Sequence, residues 1–487
     1  MTDATHPTDS TKGTRANTLS RWYLWAALCF VPTLFFFYVG EEGVYTITAM
    51  EMWQHGEYWR TVMYGALDGG TNGRPPLFNW LIIPLAHLLG WSQVLLASRI
   101  VTVAATLLTS LTVAWLAQQL WRDRTVTWMA ALLYLCTADV LLYRGWLAYA
   151  DPLFALFVVL AVALTWVACL RERYSLLLAV GLATFAAVLA KAFTVYVFWL
   201  TCVLVLGRTQ RYRQFLLTPR AWLCYALSIA PPLLWFGLGT DTSQQSTRLV
   251  ADVMTRLAFT GWADYAAHLF SYPLEMGASL LPASYFVALI AWRRWRNTAT
   301  AQPLPEAVWA SLWMVLLCIA PYWLAPSGGP RYVLPVYALL VLPAAYLAMH
   351  DLPFVLIRRW LLCLLVLATL LNLVAYPYYQ RVVRGANYER MAQQIVQSYG
   401  SWPIYATNVT STGLSVVAHI DTLRWPQAAV VWPPADFVEG IVIARAGSDF
   451  AAPVLGTLKI DKDSVLLLCR GRPCKNIGPA IAELDAQ

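Results

Sequence analysis

The chain has 487 residues, of which 59% are apolar, 14% aromatic and only 12% charged, with a net charge of +8. A soluble domain covers its surface with about 25% charged residues, so this composition excludes a water-soluble globular protein and calls for membrane lipid as a partner. The basic balance does not call for nucleic acid, because the Lys and Arg sit in short clusters between apolar runs, as topology signals do.

Residues 1–21 form a polar tail. Trp22 to Tyr38 is apolar, and the following Val39-Gly40-Glu41-Glu42 offers no small-residue cleavage site, so the segment reads as an uncleaved first span rather than a signal peptide. A span takes about 20 apolar residues. On that measure eleven spans are expected, at about 22–40, 98–120, 126–143, 152–170, 175–190, 192–207, 221–238, 274–292, 307–325, 332–349 and 360–377.

Their orientation follows from the basic loops. Lys12, Arg15 and Arg21 come first, then Arg122 and Arg124, then Arg171 and Arg173. Arg208, Arg211, Arg213 and Arg220 follow, then Arg293, Arg294 and Arg296, and finally Arg358 and Arg359. With eleven spans these loops all fall on one side. That side is expected to be cytoplasmic, in a multi-pass inner-membrane protein with its N-terminus inside and its C-terminus periplasmic. Residues 77–90 are apolar but short, and counting them as a span would invert every later loop. They are expected to form a helix in the outer interface, within a long external loop over 41–97.

Beyond residue 377 the pattern changes. Strand-like runs at Ile404–Ala406, Ile441–Ala444 and Val465–Cys469 alternate with helical stretches such as Tyr388–Ser398. The expected fold is therefore a polytopic α-helical membrane protein of about 11 spans with a small C-terminal α/β extracytoplasmic domain. The boundaries are a cytoplasmic tail at 1–21, a transmembrane catalytic domain at 22–377 and a periplasmic domain at 378–487.

Seven of the nine cysteines lie in or beside apolar segments and read as small core residues. Cys469 and Cys474 frame Arg-Gly-Arg-Pro, which suits a short-loop disulfide in an oxidising compartment. No zinc ligands accompany them, the six histidines show no ligand spacing, and neither a metal nor a cofactor is expected. Asn408-Val409-Thr410 matches a glycosylation sequon, a pattern common enough to arise by chance.

Ionisable side chains at the rims of spans are costly and default to functional readings. On the expected topology many gather at the outer rim: Glu41, Glu42, Arg74, Arg99, Asp139, Arg144, Asp151, Lys191, Glu275 and Arg331. Acids and bases at one membrane level suit a lipid-linked sugar phosphate. Arg and Lys bind the phosphate and stabilise it as it leaves. A carboxylate takes the proton from the acceptor hydroxyl as it attacks the anomeric carbon.

Several of these residues stand in ordered motifs. Gly40-Glu41-Glu42-Gly43-Val44-Tyr45 is followed by Ala49-Met50-Glu51-Met52, by Gly56-Glu57-Tyr58-Trp59 and by Asn72-Gly73-Arg74-Pro75-Pro76-Leu77-Phe78-Asn79-Trp80, with Gly90 and Arg99 beyond. Together they resemble the first loop of GT-C glycosyltransferases, nearest the aminoarabinose-transferase and protein O-mannosyltransferase-like group. Tyr149-Ala150-Asp151-Pro152-Leu153-Phe154 resembles that group's second acidic motif, and Ala190-Lys191-Ala192 its Lys-Gly motif. Ser327-Gly328-Gly329-Pro330-Arg331-Tyr332-Val333-Leu334-Pro335 resembles its late loop, so that the likeness covers about residues 22–350. Three substitutions stand out. Glu41 replaces the usual Asp, Arg74 replaces the Lys before Pro-Pro, and Ala192 replaces the Gly.

The resemblance implies an inverting glycosyltransferase. It would take a sugar from a polyprenyl-phosphate donor, undecaprenyl phosphate by analogy, to lipid A, another envelope glycolipid or polysaccharide, or a protein. Glu41 would be the base, Glu42 would orient it or hold the sugar, and Asp151 would position a substrate. Arg74, Lys191, Arg331, Tyr45 and Arg144 would bind substrate. Read without the family, Asp151 serves equally as an N-cap before Pro152, Asp139 pairs with Arg144, Arg99 anchors a helix end and Glu275 is structural. A flippase of lipid-linked saccharides is the alternative, though no second-half copy of the early motifs is present. A non-catalytic scaffold would not need acids and bases at one level.

Overall fold

The computed structural model describes residues 9–64, 74–191, 193–238, 254, 258–259, 261–296, 303–326, 329–383, 387–407, 409–427, 429–448, 450–460 and 463–475. Asn72, Gly73, Ala192, Ser327, Gly328 and the sequon's Asn408 lie outside the described residues.

In chain order the helices are α1 (Asp9–Leu28), α2 (Glu42–His55), α3 (Leu77–Leu89), α4 (Val94–Trp121), α5 (Arg124–Leu135), α6 (Ala150–Arg171), α7 (Tyr174–Ala190), α8 (Val195–Leu206), α9 (Gln210–Leu216) and α10 (Pro219–Leu238). Then come α11 (Trp262–Ser279), α12 (Ala283–Arg296), α13 (Glu306–Leu324), α14 (Leu334–Asp351) and α15 (Phe354–Leu370). Two wide π-turns, Leu371–Ala375 and Tyr379–Val383, lead to α16 (Asn387–Tyr399), β1 (Ile404–Thr407), α17 (Ser411–Arg424), β2 (Gly440–Arg445), β3 (Val454–Ile460) and β4 (Asp463–Arg470).

Among the described residues five helical segments are long and apolar enough to cross a membrane: Trp91–Trp121, Ala150–Arg171, Glu306–Leu324, Arg331–Asp351 and Phe354–Val382. The pair α11 and α12 adds a sixth if counted as one span. Several expected spans take a different form, 126–143 among them, where the helix ends at Leu135 and a separate turn follows at Val140–Arg144. The first helix begins at Asp9 and stops at Leu28 instead of running over 22–40, because Pro32 lacks the amide that would bond Leu28 and blocks the preceding turn. The stretch 274–292 is two helices meeting at 104°, broken just before Pro282. The 192–207 segment becomes helical only at Val195. The stretch 77–90 is helical over Leu77–Leu89.

The chain forms two compact units. The first comprises residues 1–33, 102–146 and 150–372. Here α6 packs on α7, α7 on α10, α1 on α5, and α14 against α5, α12 and α13. α14 is the central element, with Val336, Tyr337, Val341, Ala344 and Ala345 buried. α13 instead exposes Trp309, Trp313, Leu316, Leu317 and Leu324, a surface that water penalises and hydrocarbon accepts. Asp123 caps α5 by accepting the amides of Thr125 and Val126.

The second unit comprises residues 34–101, 147–149 and 373–487. Its sheet has the order β1-β2-β4-β3, with β1 parallel to β2 and the other pairs antiparallel. The core joins Tyr38, Val44, Ile47 and Met63 from the early chain to Met391, Ile395, Val417, Ile420, Ile443 and Leu467 from the late chain. Gly43 permits this. A Cβ there would stand 2.7 Å from the carbonyl oxygen of Leu414, so α2 and α17 approach too closely for any side chain. Cys469 and Cys474 are joined by a disulfide, at the end of β4.

Candidate functional site

The ionisable residues singled out in the sequence, Glu275 excepted, form two clusters, one in each unit. In the second unit the chain turns at Gly40 and enters α2 with Glu41 and Glu42 at its N-terminus. These neighbours have opposite surroundings. Glu42 is fully buried. One of its oxygens accepts from Arg99 Nε at 2.9 Å and the Ala148 amide at 2.8 Å. The other accepts from Arg99 Nη2 at 2.6 Å and the Val39 amide at 2.7 Å. Arg99 is also fully buried, and donates besides to the carbonyls of Phe36 and Phe37. Four hydrogen bonds to this one carboxylate fill its acceptor positions and hold it on Arg99 inside the fold.

Glu41 is different. Its amide donates to the Tyr149 hydroxyl at 2.8 Å, while its side chain is 40% exposed and its carboxylate lies 3.7 Å from Arg74 Nη2. The Arg74 guanidinium stands 5.0 Å from the centre of the Tyr45 ring, and Tyr45 and Tyr149 are 6.1 Å apart, ring to ring. Arg74 is itself fastened through its backbone, whose carbonyl accepts from Thr61 Oγ1 at 2.6 Å. The Tyr45 carbonyl accepts from Asn79 at 3.0 Å. This cluster thus presents an accessible carboxylate next to a guanidinium and two phenol rings.

The first unit holds the other cluster. Asp151 stands in the first turn of α6, where the helix dipole favours a negative charge. It is one residue inside the helix, not at the cap, and its carboxylate pairs with the ammonium of Lys191. Lys191 ends α7, its amide bonding the Ala187 carbonyl at 3.0 Å. Its ammonium also lies 4.7 Å from the centre of the Tyr332 ring, and the Arg331 guanidinium is 5.3 Å from the same ring. Arg331 and Arg144 both act electrostatically on Asp151. Asp139 accepts from Arg144 at 2.7 Å and from the Tyr337 hydroxyl at 2.8 Å. Among the described residues Lys191, Arg331 and Arg144 thus gather with Asp151 and Asp139 in one cluster of mixed charge.

Sequence reasoning missed the weight of Arg99, read there as a helix anchor, and the parts of Tyr149, Tyr332 and Tyr337. For Arg99 a signal existed: an arginine inside an otherwise apolar helix needs a partner. The tyrosines carried no such signal, because their roles depend on packing across the fold. Glu275 lies in α11 with no ion pair among the described residues.

Residues 41–236 match the family model described as dolichyl-phosphate-mannose-protein mannosyltransferase. No curated protein sequence matches the chain. Among solved structures, ArnT from Cupriavidus metallidurans bound to undecaprenyl phosphate superposes with a TM-score of 0.65 at 15% identity, covering 94% of this chain and 98% of that one. The same protein in its apo state gives 0.64 at 15% identity, covering 93% and 98%. The two chains share a fold from end to end.

Proposed function

We propose that this chain, a GT-C glycosyltransferase of the aminoarabinose-transferase and protein-mannosyltransferase-like group, moves a sugar from a polyprenyl-phosphate carrier to an envelope acceptor. The transfer inverts the anomeric centre and takes place on the outer face of the inner membrane. The chain would cross that membrane eleven times with its N-terminus cytoplasmic and its C-terminus periplasmic, as the basic loops argue.

The observation that carries the reading is the contrast between Glu41 and Glu42. Of two adjacent acids, one is locked in a buried ion pair and the other is accessible beside a guanidinium. A general base must reach the proton it abstracts, so Glu41 is the base and Glu42 the residue that holds it in place. Arg74 and Lys191 are each read as a contact to phosphate, Arg74 beside the Tyr45 ring in the second unit and Lys191 beside Arg331 and Arg144 in the first. Asp151 keeps the Lys191 ammonium oriented until a phosphate competes for it. The fold shared with a protein solved in complex with undecaprenyl phosphate supports a polyprenyl carrier of that kind.

The test is mass spectrometry of envelope lipids, polysaccharides and glycoproteins from cells with and without the gene, then assay of the purified chain with an undecaprenyl-phosphate sugar. Loss of one glycosylated species, restored by wild type but not by Glu41→Gln, is the expected result. Accumulation of a lipid-linked saccharide on the cytoplasmic side with no change in any acceptor would instead mark a flippase.

A further inference from the structure

In the first unit α1 and α15 lie side by side and run the same way. Trp22 and Phe354 stack at 6.5 Å with their planes 2° apart, and further along Trp25 Nε1 donates to Thr369 Oγ1 at 3.0 Å. Near Phe354 the two helices enclose an open cavity of about 710 Å³, walled by Thr14, Arg15, Thr18, Trp22, Phe354 and Arg358. None of its lining residues is acidic. The Thr18 hydroxyl gives its proton to the Thr14 carbonyl at 2.9 Å, and the charged groups lining the cavity are the guanidiniums of Arg15 and Arg358.

We propose that this cavity binds an anionic phosphate group between Arg15 and Arg358, with the stacked Trp22 and Phe354 rings as its apolar wall. Two guanidiniums from separate helices repel each other unless an anion lies between them. Their planar forks suit phosphate oxygens. Arg15 is already set over the Phe354 ring, 5.3 Å from its centre, which fixes its direction. The place is apt as well. Arg358 stands near the start of the apolar segment Phe354–Val382, and the end of such a segment lies at headgroup depth, where basic pockets between helices take acidic headgroups. The cavity exceeds a bare phosphate, leaving room for a glycerol backbone. The ligand chemistry is therefore a phosphate ester or free phosphate. The two sources are an acidic phospholipid and a soluble anion. The site uses none of the residues assigned to sugar transfer.

The full-length protein in detergent is titrated with phosphatidylglycerol, with phosphatidylcholine and inorganic phosphate as parallel arms, and bound ligand is counted by native mass spectrometry. Wild type should retain phosphatidylglycerol in preference to phosphatidylcholine. Each of Arg15→Gln and Arg358→Gln should weaken retention by about fivefold, from the worth of one basic side chain at a membrane surface. Arg15→Lys keeps the charge without the fork and should fall between. Arg21→Gln, outside the lining, should leave retention unchanged. If inorganic phosphate binds wild type but not the Arg15→Gln/Arg358→Gln double variant, and no lipid preference is seen, the site holds and its ligand is the soluble anion. Equal retention of both lipids by wild type and double variant, with no phosphate bound, overturns the proposal.

Discussion

Glu42 and Arg99 meet at 2.6 Å with neither side chain exposed to solvent. Removing one partner of such a pair strands a buried charge, which costs about 3–5 kcal/mol. Arg99→Ala and Glu42→Ala should each lower the melting temperature of the full-length protein sharply and reduce the folded yield. Replacing both, as Glu42→Gln with Arg99→Gln, should recover part of the loss. A melting temperature unchanged in the single variants would mean that the pair is dispensable for folding.

At Glu41 the expectation reverses. Its side chain is 40% exposed, so Glu41→Gln should melt like wild type while turnover falls by about 10²–10⁴, the usual worth of a general base. Glu41→Asp moves the carboxylate back by one methylene and should give activity between the two. Normal turnover in Glu41→Gln would move the base elsewhere, with Asp151 next in line.

The cations are separable by kinetics. Arg74→Ala and Lys191→Ala should each weaken donor use about ten- to a hundred-fold, the effect of losing a charge-assisted contact. Lys191→Ala should also destabilise the fold, because it leaves the carboxylate of Asp151 buried without its partner. Lys191→Ala with Asp151→Asn should restore the melting temperature but not the donor affinity. Wild-type kinetics in both single variants would remove these side chains from the reaction.

Two buried groups on α17 should give the second unit opposing pH responses. Burial pushes the Asp421 carboxyl up from 3.8 to about 7, offset in part by the Val430 amide and the Arg424 charge. Burial pushes His419 down from 6.5 to about 4. Between about pH 4 and 7 the native Asp421 holds a proton that the unfolded chain has released, so this group makes stability fall as pH rises. Between about pH 4 and 6.5 the native His419 lacks a proton that the unfolded chain binds, so it makes stability rise with pH. The two nearly cancel in wild type. Asp421→Asn should expose an increase in melting temperature from pH 4 to 6.5, and His419→Phe a decrease from pH 4 to 7. Flat profiles in both variants would show that neither group titrates in the folded protein.

Reporters test the orientation. A fusion after Gln487 should be active outside and one near Arg294 inside. Cys469 and Cys474, joined in the structure, should take up an impermeant thiol reagent only after reduction. Both fusions reporting from one side would end the eleven-span reading.

What the sequence revealed and what it hid divide along physical lines. Leu77–Leu89, the long apolar helices Val94–Trp121, Ala150–Arg171 and Glu306–Leu324 and the alternation of helix and strand near Ile404 and Ile441 follow from local pattern, and all are present. The motif residues Glu41, Arg74, Asp151 and Lys191 were legible as candidates because charge is rare in such a chain. Their pairing was not, because Glu42 finds Arg99 57 positions away and Asp151 finds Lys191 40 positions away. The helical course of Asp9–Arg21 was hidden too. That stretch is polar and lacks apolar periodicity, yet it continues a helix already formed at Trp22–Leu28 at little further cost.

The way the second unit is sewn from the chain sets an order of events during synthesis. Val44 and Ile47 leave the ribosome early, but the partners that bury them, among them Val417 and Ile420, come more than 360 residues later. Helix α2, which begins beside the accessible Glu41, therefore stays without its hydrophobic cover until α17 has been made. A chain released before α17 would carry the acid but not the helix that covers α2. Such a product should be a substrate for quality-control proteases before it is an enzyme.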